Sequence, residues 1–154
     1  MHNSISVANK LLSLASAKGD TVTPMQLMKL VYLCHGWMLG IHGKQLVKEP
    51  IEAWLYGPVI PSLYQATKHY RSSAVCALDG IADTYNETES SLIGEVYDKY
   101  GMHSGPALSA LTHQPGSPWH ITWHKYGKNA IISNDLIEEY YHKLADKKVP
   151  HLTQ

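Results

Sequence analysis

Apolar residues recur every three or four positions in six parts of the sequence, and this spacing predicts amphipathic α-helices. The second predicted helix has the clearest start, because Thr23 and Gln26 fit a capping box and Pro24 stands at the first helical position. The pattern predicts a mainly α fold, a single compact helical domain of about five to six helices over residues 1–154. The six parts are approximately residues 4–17, 24–39, 61–70, 92–100, 104–111 and 134–144.

Residues 51–56 follow a different pattern, with a period of two, which predicts a short β-strand. One face of this strand would carry Ile51, Ala53 and Leu55. Gly57-Pro58 is expected to end the strand. The chain therefore contains a small β element within an otherwise helical fold.

Two segments are predicted to lack regular structure. Residues 72–90 are small, polar and acidic, which is typical of a linker. Residues 113–129 hold several helix-breaking residues and are predicted to form an ordered but irregular loop. These breakers are Pro115, Gly116, Pro118 and Gly127.

The composition indicates a protein of the cytoplasm. Apolar residues make up 44% of the chain, but no run reaches the ~18 apolar residues of a membrane-spanning helix. The N-terminus lacks the basic and then apolar pattern of a signal peptide. Cys34 and Cys76 are far apart in sequence, so they are expected to be reduced core residues.

Charge is balanced overall, with 13 basic and 13 acidic residues, and no concentrated basic face is visible. Direct nucleic-acid binding is therefore not expected, because neutralisation of phosphates supplies most of that affinity. Residues 79–98 carry six acids and no base. A solvated loop and helix start is the favoured interpretation of this stretch, and a docking surface for a basic partner is the alternative.

Catalytic and metal-binding patterns are weak. His120 and His124 have the spacing of two zinc ligands on one helix face, but the intervening Glu of a metalloprotease motif is missing and no third ligand is evident. Cys34 lies on an apolar helix face, where thiols are inert. The sequence therefore predicts no catalytic residue, no metal and no cofactor.

Two proline-containing aromatic segments stand out. The first runs from Trp54 to Tyr64, and the second from Thr112 to Trp119. Proline limits its own φ and the conformation of the preceding residue, so the aromatic rings are held on a pre-organised backbone. The segments could anchor loops to the core, or they could form a binding surface.

These segments carry a resemblance to a known family. The matching residues are Gln26-Leu27-x-Lys29-Leu30-x-Tyr32, Glu52-Ala53-Trp54-x-Tyr56-Gly57-Pro58-Val59-x-Pro61-x-Leu63-Tyr64, Leu111-Thr112-His113 and Ser117-Pro118-Trp119. In order and spacing they resemble the Panacea domain, also called the SocA-like antitoxin domain, from about residue 5 to residue 145.

The resemblance implies a non-enzymatic antitoxin of a bacterium, phage or other mobile element. Its partner would be a cognate protein toxin, encoded by an adjacent gene and neutralised by direct binding. The expected partner-binding residues are Trp54, Tyr56, Gly57, Pro58, Tyr64 and Trp119. The residues expected to support the motif structurally are Lys29, His113, Ser117 and Pro118.

The sequence is compatible with two other functions. The founding member of the family is a proteolytic adaptor, so this chain could deliver its partner to a protease. A metal-dependent or hydrolytic enzyme would instead use the region His113–His124. The sequence is also compatible with a homo-oligomer.

Overall fold

The computed structural model describes residues 1–80 and 82–152, with side chains described up to residue 147. The fold is mainly α, as the sequence predicted, with one two-stranded antiparallel sheet. None of the helices in this part of the chain is long and apolar enough to cross a bilayer. In chain order the elements are α1 Ser4–Ala17, α2 Pro24–His42, β1 Glu52–Trp54, β2 Gly57–Val59, α3 Pro61–Thr67, a 3₁₀ helix Lys68–Tyr70, α4 Glu87–Tyr100, α5 Gly105–Thr112, α6 Pro118–Tyr126 and α7 Asn134–Leu152.

Helix α2 forms the centre of the molecule. All of its residues from Leu27 to Gly40 are buried, on every side of the helix, and α1, α4, α5 and α7 pack around it. A helix that is buried all round must be largely apolar, and α2 is. It starts with the predicted capping box at Thr23 and ends at Gly43, which has a φ of 66°. This positive φ is typical of the residue that follows a helix.

Helices α2 and α7 pack closely against each other. Gly36 and Gly40 have no side chains, so Tyr141 of α7 lies directly against the α2 backbone. The Tyr141 ring meets the Trp37 ring edge to face, with centroids 5.0 Å apart and planes at 67°. Aromatic pairs favour this geometry. The two glycines therefore allow α7 to complete the core.

His35 joins α2 to two other parts of the chain. The backbone N–H of Val47 donates to its Nδ1 at 3.1 Å, so Nδ1 carries no proton and Nε2–H donates to Oδ1 of Asn134 at 2.9 Å. Burial lowers the pKa of His35, because the charged form loses its hydration, and the bond to Asn134 opposes this effect. The neutral imidazole thus holds the start of α7.

Acidification is therefore expected to destabilise the fold through His35. The unfolded chain binds a proton near pH 6.5, whereas the folded His35 binds one only at lower pH, so stability present above pH 6.5 is lost as the pH falls below it. Urea unfolding at pH 7.5 and pH 5.5 measures this loss. His35→Gln offers an acceptor and a donor without titrating and should lose less. An equal loss in both proteins would contradict the assignment.

The predicted irregular loop over residues 113–129 is wrong for residues 118–126, which form α6. Ser117 caps this helix by accepting from the N–H of His120 at 3.2 Å, and Pro118 occupies its first turn. Gly116 and Gly127 lie outside the helix, with φ of 82° and 87°. The breaking residues therefore mark the ends of a short helix, whose Trp119 and Thr122 are buried.

The predicted ending of the strand at Gly57-Pro58 is also wrong, because these two residues begin β2. Leu55 does not share a strand face with Ile51 and Ala53 as expected, because β1 ends at Trp54. Ile51 and Ala53 are buried, but Leu55 lies beyond β1 and is 63% exposed.

The two cysteines differ in their surroundings. Cys34 is buried, as predicted, and burial raises the pKa of its thiol. Cys76 is exposed, so its prediction as a core residue is wrong. Neither cysteine forms a disulfide.

Several acids of the stretch 79–98 make contacts within the protein. Glu87 and Glu89 lie in the first turn of α4, where negative charge is favoured by the helix dipole. His2 lies between Asp83 and Glu89, with each ring nitrogen 2.9 Å from a carboxylate oxygen. The stretch includes a helix start, as the favoured interpretation has it, but Glu89 is buried against His2 and is not solvated.

Candidate partner-binding groove

The hairpin of β1 and β2 presents two bulky side chains at its tip. The register pairs Glu52 with Val59 and Trp54 with Gly57, which leaves Leu55 and Tyr56 as the turn. Neither turn residue has a positive φ. The residue with a positive φ is Gly57, at 118°, which follows the turn. The turn is therefore not the Asn-Gly type common in two-residue hairpins. Leu55 is 63% exposed and Tyr56 is 65% exposed.

Three helices fasten this hairpin by hydrogen bonds to its backbone carbonyls. The bonds are Trp119 Nε1–H to the Trp54 carbonyl at 2.6 Å, Ser109 Oγ–H to the Tyr56 carbonyl at 2.6 Å, and Lys29 Nζ to the Pro58 carbonyl at 3.0 Å. On its other edge, β1 exchanges bonds with residues 129–130, including Ala53 N–H to the Ala130 carbonyl at 2.8 Å. The exposed tip thus stands on a rigid base.

Trp119 supports the hairpin from beneath. Only 7% of its surface is exposed. Its ring stacks on Trp123, with centroids 5.2 Å apart, and meets His113 edge to face at 5.1 Å. Ser117 and Pro118 hold it indirectly, because they start the helix on which it lies. The structure therefore places Trp119, His113, Ser117 and Pro118 together behind the hairpin.

Lys29 is a buried cation beneath the hairpin. It is 3% exposed, and burial lowers the pKa of its ammonium to about 7. None of the ion pairs among the described residues includes Lys29. A Cβ at position 57 would lie 3.0 Å from Nζ, so Gly57 provides both the turn conformation and the space for the ammonium.

The hairpin, the start of α2 and the α3 region enclose a groove of about 470 Å³. Its walls are largely apolar and include Met25, Met28, Trp54, Tyr56 and Tyr64. The rings of Trp54 and Tyr64 meet edge to face at 5.0 Å. Of the expected partner-binding residues, Trp54, Tyr56 and Tyr64 line this groove, whereas Gly57 and Pro58 are buried behind it.

Several groove residues were not singled out from the sequence. Met25 and Leu55 supply exposed apolar surface, and Lys68 and Arg71 supply positive charge at the edge of the groove. The period-two pattern placed Leu55 on the same strand face as Ile51 and Ala53, and no local signal distinguishes Lys68 and Arg71 from other surface cations. Only the packing of α3 beside the hairpin assigns them to the groove.

Arg71 has a strained backbone at the edge of the groove. Its φ is 55° and its ψ is −110°, and the N–H of Ser73 donates to the Tyr70 carbonyl at 2.9 Å. Arg71 is therefore the first central residue of a type II′ turn, a position that glycine dominates. Such a conformation costs a residue with a side chain about 1–3 kcal/mol.

Arg71→Gly is accordingly expected to raise the free energy of unfolding by about 1 kcal/mol, because glycine adopts this conformation without strain. Arg71→Ala keeps the Cβ and should bring no such gain. Asn129→Gly is the matched control, because Asn129 is the other non-glycine residue with a positive φ in the described part of the chain. Asparagine tolerates its φ of 68°, so glycine should bring little gain there. Chemical unfolding of the three variants measures the difference. A gain for Asn129→Gly equal to that for Arg71→Gly would contradict the strain.

The two histidines of α6 lie side by side, and one of them accepts a hydrogen bond from the backbone. His120 and His124 have ring centroids 4.4 Å apart, and Nδ1 of His120 accepts from the N–H of Gly116 at 3.1 Å. Within the described part of the chain, no group of three or more His, Cys, Asp or Glu side chains is placed to hold a metal ion.

Fold and groove together define a mainly helical domain that presents a rigid aromatic hairpin beside a cationic, apolar groove. A family model described as "Antitoxin SocA-like, Panacea domain" matches residues 27–120, which include this hairpin and Trp119. The chain is also 31% identical over 134 residues to "Antitoxin SocA" of Caulobacter vibrioides (strain NA1000 / CB15N), and the match covers 80% of this chain and 71% of that protein.

The chain therefore belongs to the SocA-like antitoxin family, the Panacea domain family, which confirms the resemblance found in its sequence. Membership of an antitoxin family implies a toxin as partner. No solved structure shows significant similarity to the chain.

Proposed function

We propose that this protein neutralises a cognate toxin, encoded by an adjacent gene, by binding it directly through the hairpin tip and the neighbouring groove. Family membership supports the antitoxin role. The observation that carries the choice of surface is the exposure of Leu55 and Tyr56 on a hairpin that three helices hold in place.

A rigid aromatic tip is well suited to binding another protein. Tyrosine and tryptophan combine a large apolar body with a polar group, and they are enriched at the energetic centres of interfaces. Because the hairpin is already ordered, little conformational entropy is lost when it binds. Tyr56, Trp54 and Tyr64 would make contact, while Gly57, Pro58 and Trp119 would keep the tip in position.

The proposal describes a non-enzymatic protein of the cytoplasm that acts as one domain and needs no cofactor. Lys29, His113, Ser117 and Pro118 would serve the fold of the hairpin region rather than chemistry on a substrate. Leu55 joins the contact residues, because it is as exposed as Tyr56 and lies next to it.

Co-expression with the product of the adjacent reading frame tests the proposal. We expect that product to arrest growth by itself, growth to resume when this chain is present, and the two proteins to purify as a complex. A harmless neighbour, or a toxic one that neither binds nor is neutralised, would refute the antitoxin role.

The half-life of the toxin in the same cells separates binding from proteolytic delivery. Neutralisation by sequestration leaves the half-life unchanged or longer. A half-life that shortens only when this chain is present would show an adaptor, and inactivation of the responsible protease would then restore toxicity.

A further inference from the structure

We propose that the groove binds an acidic segment of the toxin, with one apolar toxin side chain against Met25, Met28 and Trp54 and Asp or Glu side chains on Lys29, Lys68 and Arg71. This inference rests on the proposed function and names the chemistry of the partner surface. Three features of the groove carry it: an incompletely satisfied ammonium, a one-sided charge distribution and an apolar floor.

Lys29 is the first feature. An ammonium group has three donors, and the bond to the Pro58 carbonyl occupies one of them. A cation buried without a counter-ion is unfavourable, because it has lost its hydration and gained no opposite charge. Lys29 is among the residues that line the groove, and in the proposed complex a carboxylate that enters the groove supplies that charge.

The second feature is the sign of the charge. The groove is lined by Lys29, Lys68 and Arg71, and no Asp or Glu occurs among the described residues that line it. Lys68 and Arg71 are exposed at the edge, whereas Lys29 is buried at the base. A single terminal carboxylate brings one negative charge to three cations. Several Asp or Glu side chains on one segment bring more, which favours an acidic segment over a chain terminus.

Apolar surface is the third feature. Met25 is 40% exposed, whereas Met28 is buried, and both line the groove. Methionine side chains adapt to the shape of a bound group. Trp54 and Tyr64, whose rings are in contact, add aromatic surface to the same groove. A volume of about 470 Å³ exceeds that of any single apolar side chain, so the groove has room for one together with the carboxylates beside it.

Lys29→Met provides the central test. Methionine has nearly the length of lysine without its charge, but it cannot donate to the Pro58 carbonyl, so thermal unfolding first checks that the variant is folded. We expect the affinity for the purified toxin to fall at least tenfold, because carboxylates on the toxin lose their buried partner. Unchanged affinity in the folded variant would overturn the role of Lys29.

The edge cations are tested by charge reversal. Lys68→Glu together with Arg71→Glu should weaken toxin binding at least tenfold and remove most of its dependence on salt. Lys44→Glu with Lys128→Glu changes the net charge equally at two exposed lysines away from the groove, and should change affinity little. Equal losses in the two pairs would show only a general effect of net charge and would refute a specific site.

A pH series gives a readout that a purely structural role of Lys29 would not move. Burial lowers the pKa of Lys29 to about 7, and a carboxylate beside it raises that pKa again. Binding should therefore weaken as the pH rises from 6.5 to 8.5, more in the wild type than in Lys29→Met. His113→Asn is the control for a contribution from histidine, because it removes the imidazole near the hairpin and should leave the pH dependence of binding unchanged. The other charged or titratable groups around the groove are Glu52, Tyr56, Tyr64, Lys68 and Arg71.

Reciprocal changes on the toxin complete the design. Lysine substitutions in one acidic toxin segment should abolish binding to the wild type and restore it to the Lys68→Glu, Arg71→Glu variant. If extension of the toxin C-terminus abolishes binding instead, a terminal carboxylate is the ligand and the acidic-segment proposal is wrong. If all groove variants bind normally, this inference fails while neutralisation stands; if the wild type does not bind, the proposed function itself fails.

Discussion

Gly40→Ala is expected to lower the free energy of unfolding by about 3 kcal/mol, at the upper end of what overpacking costs. A Cβ at this position would lie 2.6 Å from the carbonyl carbon of Tyr141 and 2.7 Å from the backbone nitrogen of His142. These atoms belong to the backbone of α7 and cannot rotate away as a side chain would. The whole helix must move, which separates the rings of Trp37 and Tyr141.

Gly94→Ala is the matched control, because Gly94 lies within α4 and its added Cβ would meet nothing within 4 Å. Alanine loses less backbone entropy than glycine in a helix, so this variant should gain about 0.5–1 kcal/mol. Urea unfolding measures both changes. Thermal unfolding should show a lower Tm for Gly40→Ala by roughly 10 °C. Similar behaviour of the two variants would contradict the close approach of α2 and α7.

The second large effect is expected at the hairpin tip. The double variant Leu55→Ala, Tyr56→Ala should bind the toxin about 100-fold more weakly. Losses of this size are found at the few interface residues that dominate binding. Both side chains are more than 60% exposed, so stability should change by no more than about 0.5 kcal/mol. Calorimetry or a surface-binding assay with the purified toxin measures the affinity, and urea unfolding measures the stability.

The control removes the same amount of exposed apolar surface elsewhere. Tyr126 is 67% exposed and Ile131 is 62% exposed, which matches the tip closely. Tyr126→Ala with Ile131→Ala should leave the affinity within about twofold, because rim and non-interface residues contribute little. If this pair weakens binding and the tip pair does not, the toxin binds another face and the proposed surface is wrong.

The helix starts could be predicted because they depend on neighbouring residues. The capping box at Thr23 forms as expected, with Thr23 N–H donating to Gln26 Oε1 at 2.8 Å. Ser104 likewise accepts from the N–H of Ala107 at 3.1 Å. Such bonds span three residues, so their partners are visible in any short window of sequence.

Helix α6 was missed although its signals are equally local. Ser117-Pro118 is a favourable helix start, but the flanking Pro115, Gly116 and Gly127 weighed against any helix in this region. Burial of Trp119 against Trp123, His113 and the hairpin decides the outcome. A helix this short is stabilised mainly by tertiary packing, which composition does not reveal.

The candidate site was predicted in part. The aromatic residues Trp54, Tyr56 and Tyr64 could be named from the motif, and they lie together at the groove. Lys68 and Arg71 could not be named, because their place depends on how α3 packs beside the hairpin. The strain at Arg71 was also invisible, since arginine is not a residue from which a positive φ is expected.

By itself the sequence determined the helical class of the fold, the start of α2, the small β element and the family of the protein. These follow from spacing, capping and motifs, which act over a few residues or persist as fixed patterns. The tertiary structure alone decided that Leu55 is exposed and that Lys29 is buried beneath Pro58, 29 positions away. Exposure and buried charge depend on contacts between distant segments, and those contacts exist only once the hairpin has packed onto α2, α5 and α6.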